Sequence, residues 1–154
     1  MFRPAVLILL FSCGGAPIAF EVDCGLVVEA SDFVAEPKDI IACQHAAVKH
    51  GLTSCALMQG VHLQFMSTSS WVDSYGREVS GLTFYPNSLH TLDTFSTIQV
   101  GNVAAYYGSF IHELHHLEGA LSSDNQNHVG WAEDGTNLSI DLARKDAKAA
   151  YELP

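Results

Sequence analysis

Three of the chain's eight histidines crowd into GSFIHELHHLEG, residues 108–119. Among them His112, Glu113 and His116 form the pattern His-Glu-x-x-His. On a helix, residues i and i+4 lie one above the other, so two imidazoles at that spacing can share one metal ion. Glu113 is offset by one position, which sets it beside such an ion rather than on it. From there it could deprotonate a metal-activated water, whose acidity the ion has already raised. Two ligands and a base on consecutive turns make a hydrolytic arrangement, with one zinc ion as the expected cofactor. Random placement in a chain of this composition yields the pattern only about twice in a hundred. His115 points about 100° away from His116 and belongs to another face of the helix.

That chemistry requires a helix under the motif. From about Asn102 to Glu118, apolar residues including Val103, Tyr106, Phe110, Leu114 and Leu117 recur at helical spacing, and Gly119 follows as the expected left-handed cap. EPKDIIACQHAAVKHG predicts an earlier helix, with Pro37 in its first turn and Gly51 as its stop. GVHLQFMS alternates apolar and polar residues, the pattern of a half-buried strand. EVSGLTFYP and SLHTLDTF predict two further strands around a turn at Pro86 and Asn87. A polar loop, LSSDNQNHVGWAEDGTN, leads to an amphipathic helix over LSIDLARKDAKAAYEL. The expectation is an α+β domain over residues 20–154, a small mixed sheet with an active-site helix and a C-terminal helix.

At His112, Glu113 and His116 the chain resembles the zincin metallopeptidases, whose active-site helix carries HExxH. The resemblance covers about residues 60–135. It implies a zincin-like fold, a peptide or protein substrate, and an edge strand that takes up the extended substrate by adding it to the sheet. GREVSGLTFYPNSLHTLD is the candidate for that strand region. A third ligand must follow the helix. A metzincin would have histidine at position 122, where this chain has Ser122. Asp124 would serve as in aspzincins, although SSDN lacks their signature, and Glu133 would serve as in gluzincins. His128 offers an imidazole, a better zinc ligand than a lone solvated carboxylate. Small exported bacterial proteins with an HExxH helix often look like this, with an Asp, a His and a Trp following the motif in a short loop. His128 is therefore the expected third ligand, with Asp124 and Glu133 as alternatives. Asp124 or Asp134 could orient a ligand imidazole, and Trp131 is expected to pack beneath the loop.

The implied function is zinc-dependent hydrolysis of peptide bonds with Glu113 as general base. The alternative is a catalytically silent zinc-binding envelope lipoprotein. Tyr85, Tyr106 and Tyr107 could steady an oxyanion, although Tyr106 and Tyr107 read better as core. His45, His50, His62 and His90 read as surface or satisfied histidines. No GxSxG or CxxC competes.

Composition narrows the class. At 154 residues and 48% apolar, the chain fits one domain with its own core. A net charge of −10, with seven scattered Lys and Arg, offers no basic stripe for nucleic-acid phosphates. MFRPAVLILLFSCGG sets Arg3 ahead of an apolar run from Ala5 to Phe11, so residues 1–19 read as an export signal. LFSC resembles a bacterial lipobox, which implies cleavage before Cys13 and a lipid anchor there. Cuts after Ala16 or Ala19 would instead release a secreted protein. The expected location is outside the cytoplasm: secreted, periplasmic or a membrane-anchored lipoprotein. An oxidising compartment permits one disulfide among Cys24, Cys43 and Cys55, and spacing leaves the pairing open.

Overall fold

The structure is a computed structural model that describes residues 19–29, 35–86, 93–121, 128 and 130–154. Residues 1–18 of the expected export segment, with Cys13, lie outside the described residues, as do His90, Ser122 and Asp124, while its last residue, Ala19, opens the first strand. Two short strands, β1 (Ala19–Glu21) and β2 (Val27–Glu29), precede the helix α1 (Pro37–Lys49). A single-turn helix α2 (Cys55–Met58) leads to β3 (His62–Phe65), and a hairpin of β4 (Trp71–Val72) and β5 (Glu78–Val79) follows. Then come β6 (Gly81–Phe84), β7 (Thr97–Val100), α3 (Tyr107–His116), a 3₁₀ turn (Leu117–Leu121) and α4 (Thr136–Tyr151).

The main sheet has the order β1-β2-β3-β7-β6. Its centre is parallel, β2 on β3 on β7, while β1 and β6 join antiparallel at the two edges. The architecture is therefore α+β with a small mixed sheet, as the element pattern leads one to expect. In register across the centre, Val28, Leu63 and Ile98 form one apolar row, extended by Phe65 and Val100. Against it pack Ile40 of α1, Phe110, Ile111 and Leu114 of α3, and Ile140 of α4. Each such side chain contributes about 1.5–3 kcal/mol through apolar area removed from water. The helix that carries the motif is thus fixed by the core on its opposite face.

Several local expectations hold and others need correcting. Gly51 does stop α1: it sits at φ +70°, Gly51 N–H donates to Val48 O at 3.0 Å, and Leu52 N–H to Ala47 O at 2.9 Å. The strand expected over SLHTLDTF is corrected for its described end, because residues 93–96 are irregular and the sheet takes Thr97–Val100 instead. Phe95 stacks on His62 of the neighbouring strand with ring centroids 3.8 Å apart, so it closes over the sheet before β7 enters it. α3 starts five residues later than Asn102. Residues 102–106 form turns, with Tyr106 N–H donating to Val103 O at 3.0 Å and the Tyr106 ring edge-on to Phe65 at 5.1 Å. Gly119 is not a left-handed cap. It lies inside the 3₁₀ turn, which tightens the helix end instead.

Cys24 and Cys55 form a disulfide that ties the turn after β1 to α2, and Cys43 is a buried free thiol. Closing a loop of this size contributes about 3–4 kcal/mol on the chain-entropy account. Burial pushes the Cys43 thiol far up, which keeps it inert. Among the described residues, no helix is long and apolar enough to cross a membrane.

Candidate metal centre

The edge strand and the motif helix lie side by side and run in the same direction. Ser80 Oγ meets Ser109 Oγ at 2.9 Å, Thr83 Oγ1 donates to Glu113 Oε2 at 2.7 Å, and Tyr85 Oη donates to His116 O at 2.6 Å. Since Phe110, Ile111 and Leu114 face the core, the helical period turns Ser109, His112, Glu113 and His116 toward β6. Between them opens a cleft of about 780 Å³, roofed by the β4–β5 hairpin.

In that cleft three imidazoles converge. The Nε2 atoms of His112 and His116 are 3.2 Å apart, and His128 Nε2 lies 3.1 Å from the first and 2.9 Å from the second. Four ligands at zinc–nitrogen lengths and tetrahedral angles would sit roughly 3.3 Å from one another, so this triangle fits one face of such a tetrahedron. His112, His116 and His128 could hold a metal ion. Burial and neighbouring cationic groups push His112 down to about 4 and His116 down to about 3, and His128 is lowered for the same reasons. All three are then neutral at pH 7 with lone pairs to offer.

Two features hold the triad. Trp131 is buried, and its ring lies 4.4 to 5.1 Å from the rings of His112, His115, His116 and His128. This is the packing role expected of it. His128 itself sits at φ +55°, a left-handed conformation that costs a non-glycine residue about 1 kcal/mol or more. Its carbonyl accepts from Trp131 N–H at 3.2 Å, so the turn that strains His128 also carries the tryptophan beneath it.

Glu113 is buried beside the triad. The Thr83 hydroxyl binds its carboxylate and also approaches its carbonyl at 3.1 Å. A Cβ built on Gly81 would come within 2.9 Å of Glu113 Cγ and Oε1, so glycine is what lets the strand close on the carboxyl. Burial pushes Glu113 up to about 7, and the Thr83 hydrogen bond pulls the other way.

The remaining expectations sort as follows. His115 stays out of the triad: its Nδ1 lies 2.7 Å from Leu52 O. Glu133 is exposed and not part of the group, and Asp134 Oδ1 accepts from Thr136 N–H at 2.8 Å instead of orienting an imidazole. His45, His50 and His62 are satisfied by Asp23, Asp146 and Glu29. Tyr106 is core, Tyr107 packs against it, and Tyr85 lines the cleft. Comparison of the chain with protein-family models, curated proteins and solved structures finds no match. The site therefore stands on its own geometry. Sequence reasoning passed over Thr83, Gly81 and Arg144. Only Gly81, a glycine inside a strand, carried a signal of close approach.

Proposed function

We propose that the protein is a zincin-like, zinc-dependent peptidase that acts outside the cytoplasm. The observation that carries this reading is the triangle of His112, His116 and His128 nitrogens, 2.9 to 3.2 Å on a side, next to the buried carboxyl of Glu113. His112, His116 and His128 would hold the zinc, the three-ligand set that catalytic rather than structural sites use. When bound, zinc supplies Lewis acidity that favours ionisation of water and polarises a peptide carbonyl.

The other work falls to the chain. Glu113 accepts a proton from the attacking water and delivers it to the leaving amine. Thr83 holds one oxygen of that carboxylate, and Gly81 keeps the strand close to it. β6 is an antiparallel edge strand along the cleft, suited to take an extended peptide as a further strand. The Cys24–Cys55 disulfide supports an oxidising compartment, in keeping with the export signal expected over residues 1–19.

Glu113→Gln keeps the shape of the side chain and removes the base. Zinc content should stay at one per chain while hydrolysis of a mixed peptide library falls by about 10² or more. Undiminished turnover in that variant overturns the proposal.

A further inference from the structure

The chain of net charge −10 has only seven Lys and Arg, yet two of them, Arg77 and Arg144, line the cleft. They differ in what they have left to give. Arg77 Nε and Nη2 both reach Asp73 Oδ2 at 2.8 Å, so its charge is met within the hairpin. Arg144 reaches in from α4. Its Nε and Nη2 donate to Gly108 O at 3.0 and 2.8 Å, and its Nη1 donates to Asp141 Oδ1 at 3.3 Å, an ion pair to a largely solvent-exposed carboxylate that leaves two N–H groups unused. A carbonyl is neutral, and a guanidinium carries five N–H donors, so these three contacts fix the group in place without exhausting it. The result is an oriented cation beside Ser109, at the end of the cleft where β6 begins.

Polarity of the cleft gives this position a meaning. The chain enters β6 at Ser80, beside Ser109, and leaves it at Tyr85, beside His116. Antiparallel pairing is the more stable ladder, and it is how β6 already joins β7. A peptide added antiparallel to β6 therefore runs the other way, with its C-terminal part over Ser109 and Arg144. From Glu113 back to Gly108 is five helical positions, about 7.5 Å, or roughly two residues of extended chain.

Resting on the peptidase reading, we propose that Arg144 binds the free C-terminal carboxylate of the substrate two residues beyond the scissile bond. The protein then removes dipeptides from C-termini. The bond that breaks is the amide whose nitrogen leaves with the dipeptide; water supplies the hydroxyl to the new carboxylate and the proton to the new amine.

The test uses two hexapeptides of one sequence, one with a free C-terminal acid and one amidated, on the zinc-loaded full chain. Binding is measured by calorimetry in Glu113→Gln, and products of the unaltered protein by mass spectrometry. The acid should bind about tenfold or more tightly than the amide, and the product should be the C-terminal dipeptide. In Arg144→Gln the two peptides should bind alike, and Arg144→Lys should restore part of the preference. The comparison of acid with amide needs no Arg144 variant, so misfolding of one leaves it decisive. Equal binding of acid and amide, or of neither, overturns the carboxylate site. If peptides are still cleaved in that case, the peptidase reading survives; if the acid is preferred but nothing is cleaved, the carboxylate site survives and the peptidase reading falls.

Discussion

His45, His50 and His62 each set a ring nitrogen 2.7 to 2.8 Å from a carboxylate oxygen, whereas His112, His116 and His128 set theirs against one another. The first arrangement is complete in itself. Glu29 takes His62 on one oxygen and Gln64 on the other, and Gln64 accepts from Gln99, so the polar face of the sheet closes into a ladder. In the second, three neutral imidazoles meet in a cleft, and nitrogens cannot all serve as donor and acceptor to one another. A shared cation would satisfy all three, and the group could hold one. The same residue type thus does structural work where an acid faces it, and offers a binding site where its own kind does.

Removing one member from each group should separate them most widely. His116→Ala and His128→Ala should lose zinc affinity by more than about 100-fold, since two nitrogens remain where three are needed. His62→Ala should keep full zinc content and lose about 1–2 kcal/mol of stability through the stranded Glu29. Metal analysis after dialysis and thermal unfolding read the two effects independently. Zinc loss in Glu133→Ala but not in His128→Ala would break the comparison at its centre.

A smaller effect is expected at the base. Gly81→Ala drives a methyl group against the Glu113 carboxyl and should reduce turnover by about tenfold or more, because small displacements of a catalytic group are costly. Zinc content should not change. Peptide hydrolysis and metal analysis on the same preparation check this, and equal loss of both would mean that the strand, not the carboxyl, had moved.

The smallest effect concerns the ionic half. Hydrogen bonds from Lys49 and His50 hold Asp146 below the ordinary aspartate value of 3.8, joining the end of α1 to α4. Its folded form gives up its proton at lower pH than its unfolded form. The stabilisation is therefore complete above about 3.8 and fades as the pH drops through the folded value. Asp146→Asn should melt slightly below the unaltered protein at pH 7, and the difference should vanish in acid. A gap that persists at pH 2 would assign the effect to packing.

Much of this protein is local and was legible. The spacing of His112, Glu113 and His116 follows from the helical period alone, and so do the apolar faces of α1, α3 and α4, whose signals lie within a few turns of each residue. The α+β class follows from the same patterns. Other features needed distant chain to meet. Thr97–Val100 is too short to announce itself and becomes a strand because Leu63 and Phe65 pair with it in the sheet's centre. Spacing could not choose Cys55 over Cys43 as partner for Cys24, because the choice depends on where α2 packs. Ligand chemistry could favour His128, but only the left-handed turn over Trp131 brings its nitrogen to the other two. Thr83, Gly81 and Arg144 gained their roles solely from β6 and α4 lying against α3. The sequence determined which groups could do chemistry, since residue type and helical period are properties of the chain itself. The tertiary structure decided which of them share a site, because long-range packing sets distances that no local pattern encodes.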